Sequence, residues 1–92
     1  MKLSERLRQG RKKLGVTLRI ASNNIDISAG YLNDLEHDRA SRPKIKYLVA
    51  AANFYGIDRD SLIISAGKIP PDVYFKIVNN PKLLEIIRNY EV

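Results

Sequence analysis

Apolar residues recur along this chain at spacings of three and four, the repeat that lines one face of an α-helix. Over residues 4–14, Leu7, Arg11 and Leu14 share a stripe, with Ser4 as a candidate cap and Gly15 as a stop. Thr17 can cap a second helix reaching about Asn24, and Ile25-Asp26-Ile27 reads as a short connector. Ser28 can cap a third helix, with Leu32, Leu35 and Glu36 on one stripe, ending near Asp38. Pro43 suits the first turn of a fourth, which puts Ile45, Leu48, Val49 and Ala52 on one face and stops at Gly56. Asp58 can cap a fifth, through Leu62, Ile63 and Ala66 to Gly67. Pro70-Pro71 opens a sixth (Val73, Tyr74, Ile77, Val78) and Asn80-Pro81 a seventh (Leu83, Leu84, Ile87, Tyr90). The alternation of a half-buried strand is absent, and Leu62-Ile63-Ile64 is too short to stand for one. The pattern predicts an all-α chain: five helices, a linker at Lys68-Ile69-Pro70, and a two-helix tail.

Two charges break the pattern. Arg11 points where Leu7 and Leu14 point, and Glu36 lies four residues after Leu32. A lone charge among apolar side chains is very costly, so each needs a partner or a route to solvent. Pairing Arg11 with Glu36 is the economical solution, and it ties the first helix to the third. Such a pair adds little net stability, yet losing one member costs about 3–5 kcal/mol.

Charge narrows the picture further. The chain has 92 residues, one domain's worth, and carries a net charge of +6. Residues 1–19 hold seven basic groups (Lys2, Arg6, Arg8, Arg11, Lys12, Lys13, Arg19) against Glu5 alone. The rest is nearly balanced, so the excess is a local patch of the kind that attracts phosphates, or else a solvated first helix. Cysteine is absent and histidine occurs once, which excludes a disulfide scaffold, a thiolate nucleophile and a Cys-ligated zinc. Glu36-His37-Asp38 does not read as a metal site, because neighbours on a helix diverge by about 100°. No metal, cofactor or enzymatic activity is expected. The longest apolar run falls far short of a membrane span, and MKLSERLRQGRKKLG lacks the apolar stretch of a signal peptide. The expectation is a soluble, cytoplasmic protein.

The second and third helices carry the functional signal. TLRIASNN, IDI and SAGYLNDLE make two short helices joined by a tight turn. This segment resembles the helix-turn-helix of the lambda-repressor and Cro family, the XRE-type regulators. Their typical pattern is L-T-L-R-E-L-A-x-x-L-G-V-S-x-x-Y-L-S-x-I-E-x-G. Here it stands as V-T-L-R-I-A-S-N-N-I-D-I-S-A-G-Y-L-N-D-L-E-H-D. Val16, Thr17, Leu18, Arg19, Ile25, Ile27, Ser28, Tyr31, Leu32, Leu35 and Glu36 match in kind. Arg11 falls where the family has an arginine paired with the residue at Glu36. Arg42-Pro43, the fourth helix and YGIDRDSLIISAG match its closing elements. The resemblance covers residues 3–67, with the helix-turn-helix at about 17–37. It implies a five-helix lambda-repressor-like domain, extended here by residues 68–92. Among the departures from the family, Ser22 takes the place of its small residue in the second helix, Leu18 that of a frequent phosphate-binding Gln, and Asp26 and Asp38 stand where it has glycine. The two aspartates fall where a left-handed backbone is expected.

What the resemblance implies is sequence-specific binding of double-stranded DNA, with the third helix, Ser28 to His37, in the major groove. The base-contacting positions would be Ser28, Ala29, Gly30, Asn33 and Asp34. Ala29 could touch a thymine methyl, Asn33 could pair with adenine, and Asp34 could accept from a cytosine amino group. It is a thin set, without Arg, Lys or Gln. The phosphate contacts would be Thr17 and Arg19 at the start of the second helix, Tyr31, and Arg39, Arg42 and Lys44 around the loop after the third. Each of these polar groups also has a plain structural reading, as solvated surface or, for Tyr31, as packing.

Helices this short are not stable alone, so the tail must dock. Val73, Phe75, Ile77, Val78, Leu83, Leu84, Ile86, Ile87 and Tyr90 exceed what one face of each tail helix needs, with Val73, Ile77, Leu83, Leu84, Ile87 and Tyr90 as the packing residues, and the fourth helix has a surplus at Tyr47, Ala51 and Phe54. Either the tail covers that surplus within one chain or it meets a second chain. The expectation is a homodimeric repressor on a palindromic operator, its two third helices about one DNA turn apart. The alternative is an antitoxin or anti-repressor type module on the same fold, whose partner is a protein such as a toxin, a protease or an antirepressor.

Overall fold

A computed structural model of the chain describes residues 1–40 and 43–91. Seven helices follow one another among these residues: α1 (Leu3–Leu14), α2 (Leu18–Ile25), α3 (Ala29–Glu36), α4 (Ile45–Tyr55), α5 (Arg59–Ser65), α6 (Pro71–Asn79) and α7 (Leu83–Asn89). The fold is all-α. The first five helices share one core, and α6 and α7 follow at the C-terminal end.

Side-chain caps start the helices where short polar residues allow it. The hydroxyls of Thr17 and Ser28 accept from the backbone N–H groups of Ile20 (3.2 Å) and Tyr31 (3.0 Å), and the Asp58 carboxylate accepts from that of Ser61 (2.9 Å). Ser4 does not serve as a cap. Helix α1 begins one residue earlier, behind Lys2, and Ser4 is buried inside it. Pro43 likewise precedes α4 rather than entering it, and Lys44 is the flanking residue. At the other end of the chain, the Asn80 side chain donates back to the Lys76 carbonyl at 3.1 Å. It therefore closes α6, and α7 starts only at Leu83.

Helices α1 to α5 all end the same way. A residue with positive φ turns the backbone, and the next N–H donates to the carbonyl five residues back: Val16 to Arg11, Ile27 to Ser22, Arg39 to Asp34, Ile57 to Ala52 and Lys68 to Ile63. This is the Schellman arrangement. Its left-handed residue is glycine three times (Gly15, Gly56, Gly67) and aspartate twice, Asp26 at φ 68° and Asp38 at φ 57°. Tight turns let these short helices fold back on one another around a small core.

That core joins Leu7, Ala21, Ile25, Leu32, Leu35, Leu48, Ala51, Ala52, Tyr55, Leu62, Ile63 and Ala66. Helix α4 packs against α1, α2 and α5, while α3 is held between α1 and α2. Leu14 is not part of the core. It is the last residue of α1, beyond the seam closed at Arg11, and is 45% exposed. Helix α4 turns Leu48, Ala51, Ala52 and Tyr55 inward, and Ile45, Tyr47, Val49 and Phe54 are partly buried against the same core. The tail helices stay outside this core: no residue of α6 or α7 is itself buried. The chain measures 46 × 24 × 23 Å, with a radius of gyration of 15.1 Å. A compact chain of this length would have a radius near ~12 Å. The tail projects.

Candidate nucleic-acid interface

Helix α3 is amphipathic in a way that leaves one edge bare. Leu32, Leu35 and Glu36 face inward and are buried. The opposite edge carries Ala29, Gly30, Asn33, Asp34 and His37, with Ser28 at its start. Ser28, Ala29, Gly30 and His37 are exposed, and Asn33 and Asp34 are half-exposed. Gly30 has open space where a side chain would stand.

What holds the helix in this attitude is a two-pronged ion pair. The Arg11 guanidinium donates from Nε to Glu36 Oε2 at 2.9 Å and from Nη2 to Oε1 at 3.0 Å. Its third arm, Nη1, donates to the Val16 carbonyl at 3.2 Å, just ahead of α2. One side chain of α1 thus fixes both α3 and the lead-in to α2. The Glu36 side chain is wholly buried and that of Arg11 is 23% exposed. The hydrogen bond to Glu36 holds the Arg11 proton more tightly than usual. Beneath the pair lies Tyr55, buried, with a hydroxyl that has no hydrogen-bond partner among the described residues. Burial, helped by the Glu36 carboxylate and opposed by Arg11, pushes its pKa up to about 12.

The residues expected to meet phosphates are spread around this edge. Thr17 and Arg19 are exposed at the start of α2, and Lys44 is exposed at the start of α4. Tyr31 is half-buried on α3. Arg42 lies outside the described residues. Arg39 is not an isolated cation: its Nε donates to Asp34 Oδ1 at 3.2 Å. Two side chains assigned separate tasks from the sequence are therefore in contact. The residues expected to pack the tail, Val73, Ile77, Leu83, Leu84, Ile87 and Tyr90, all lie on α6 and α7 or just after them.

Residues 4–68 match the family described as "Helix-turn-helix domain". The chain belongs to that family, in its lambda-repressor and Cro form. It is also similar to the HTH-type transcriptional regulator DdrOP3 of Deinococcus deserti, 40% identical over 63 residues. That stretch is 68% of this chain and 48% of the relative. The chain thus spans about half the length of the curated relative it matches.

Within the helix-turn-helix, the turn after α2 runs through Asp26 and the turn after α3 through Asp38, both left-handed. One residue of the bare edge escaped sequence reasoning. His37 follows Ala29 and Asn33 at the i, i+4 spacing, so it lines the same edge. Its Nδ1 lies 2.7 Å from the Asn33 carbonyl, an acceptor, so Nδ1 carries the hydrogen. This leaves Nε2 as the ring's remaining polar atom. The i+4 series was the available signal, and reading His37 only as a helix-end charge obscured it.

Proposed function

We propose that this chain is a sequence-specific DNA-binding transcriptional regulator, a dimeric repressor that occludes a promoter. The observation that supports it best is the uncovered polar edge of α3 on a helix clamped from behind by Arg11 and Glu36. A rod held rigidly with one side bare is what entry into a major groove requires. Ser28, Ala29, Gly30, Asn33 and Asp34 stand on the base side in this reading. Thr17, Arg19, Tyr31, Arg39, Arg42 and Lys44 stand towards the phosphates. The name of the Deinococcus relative points the same way.

The second half of the proposal concerns α6 and α7. A folded monomer of 10.5 kDa exposes about 5,400 Å², whereas this chain exposes 6541 Å². The surplus, roughly 1,000 Å², is close to what one partner buries in a standard interface. Phe75, Val78, Ile86, Ile87 and Tyr90 are each more than half exposed. In the proposed dimer these residues, with Val73, Ile77, Leu83 and Leu84, meet their copies and space two α3 helices along a palindromic operator.

The same exposed tail, together with a carboxylate on the α3 edge, also favours a second reading: a module of the antitoxin or anti-repressor kind whose partner is a protein. A gel shift separates the two. The probe is the DNA upstream of the chain's own gene, with excess random competitor and at two salt concentrations. The regulator is expected to hold this DNA against competitor and to weaken steeply as salt rises. Asn33→Ala is expected to change preference at one base pair by about 1–3 kcal/mol. Retention of no duplex at low salt would overturn the regulator in favour of the protein-binding module.

A further inference from the structure

The contact between Asp34 and Arg39 carries an inference beyond this reading, though it rests on DNA binding. Helix α3 ends in a left-handed residue, Asp38, which folds the chain back so that the Arg39 N–H donates to the Asp34 carbonyl at 2.8 Å. In such a turn the residue after the left-handed one usually makes an apolar contact with the residue five places earlier. Here that contact is ionic, Arg39 Nε to Asp34 Oδ1 at 3.2 Å. Backbone and side chain of Arg39 are therefore both tied to the same residue of the exposed edge.

This changes what Asp34 does. A bare carboxylate on a helix facing DNA would be repelled by phosphates on both sides of the groove. Arg39 offsets its charge and takes up Oδ1, so the carboxylate is no longer a bare anion, although Oδ2 makes no hydrogen bond to a described residue. Arg39 in turn spends only Nε on the pair. No hydrogen bond from its Nη1 or Nη2 is made to any described residue, and these two nitrogens are the paired donors that suit a phosphate. Arg39 lies past the C-terminal end of α3, whereas base edges are met from the helix's N-terminal part, so a phosphate is the target within reach.

We infer that Asp34 is a positioning residue, which turns the Arg39 guanidinium so that its two Nη groups grip a DNA phosphate. The alternatives are that Asp34 reads a base directly, or that it merely repels the backbone. A double-mutant cycle on the full chain distinguishes them, with duplex DNA of specific and shuffled sequence titrated over a salt series. Arg39→Ala is expected to weaken binding about ten-fold on both duplexes and to lower the salt slope by about one. Asp34→Ala, although it removes a negative charge, is expected to weaken binding several-fold in the wild-type background and not at all in the Arg39→Ala background. Asp34→Asn, which keeps an acceptor oxygen, is expected to restore part of the loss.

Tighter binding by Asp34→Ala to the same extent in both backgrounds would overturn the inference and leave simple repulsion. A change in preference at a single base pair in the Arg39→Ala background would overturn it in favour of direct reading. If wild-type protein and all variants fail to bind duplex DNA while retaining the same helical circular dichroism, the DNA-binding reading itself falls, and this inference with it.

Discussion

Asp26 and Asp38 occupy backbone positions that suit glycine, and both adopt them with positive φ. A left-handed conformation costs an L-residue about 1–2 kcal/mol, less for aspartate than for most. Glycine avoids that strain but loses roughly 0.5–1 kcal/mol more in chain entropy. Asp26→Gly is therefore expected to stabilise the protein slightly, by about 0.5 kcal/mol, seen as a thermal midpoint raised by a few degrees. A lowered midpoint would mean that the carboxylate contributes something its exposed setting does not suggest. Tyr55 is the other telling residue. Its pKa rises from 10.0 to about 12 on folding, so the folded state favours the neutral phenol. The unfolded chain then binds fewer protons than the folded one as pH passes 10. Stability is fully present below that and declines towards pH 12, by an amount of order 2 kcal/mol. Urea unfolding between pH 8 and 11.5 is expected to show this slope, and Tyr55→Phe to flatten it. The same substitution removes a buried hydroxyl without a partner among the described residues, so it is expected to cost little at neutral pH. Equal slopes in the two proteins would refute the assignment.

At the scale of elements, α1 and α4 meet more closely than their side chains suggest. A Cβ added at Gly10 would lie 2.7 Å from Tyr55 Cγ, at the base of a ring that cannot swing away. Alanine would raise the helix propensity of α1 by about 1 kcal/mol. The forced separation of α1 and α4 costs about 1–3 kcal/mol. Gly10→Ala is expected to be destabilising on balance, by about 1 kcal/mol in a denaturant melt, and a gain would show that α4 yields freely. Nothing in the sequence marks this glycine, because its reason is a ring 45 residues away. The existence of each helix was legible, since apolar spacing and short polar caps are local signals. The starts of α1, α4 and α7 were not. At Ser4, Pro43 and Asn80 the capping chemistry was present, but the chain uses those residues for burial, entry and exit.

The molecule as a whole is a compact five-helix body with an exposed apolar tail. That distribution makes a mass measurement decisive for the proposed dimer. At micromolar concentration the full chain is expected to run at twice the 10.5 kDa of one copy. Ile87→Glu, at a position 54% exposed on α7, is expected to return it to a single copy while its helical circular dichroism persists, because no residue of α6 or α7 is buried. A wild-type mass of one chain would remove the dimer. Loss of the whole fold in the variant would mean that the tail supports the body in a way its exposure does not reveal.

The chain's own pattern was enough to establish seven helices, the tight turn between α2 and α3, and the unusual places of Arg11 and Glu36. Periodicity, capping and the cost of burying a charge are all short-range or pairwise constraints that a string of residues displays directly. What only the packed structure decided was which polar groups face each other. Asp34 and Arg39 looked like two separate contacts until the left-handed turn at Asp38 brought them together. His37 joined the bare edge, Gly10 proved to be a seat for Tyr55, and the tail stood away from the core. The seat at Gly10 and the stance of the tail depend on how helices distant in sequence pack, which no local pattern encodes, while the Asp34–Arg39 contact depends on the left-handed backbone at Asp38.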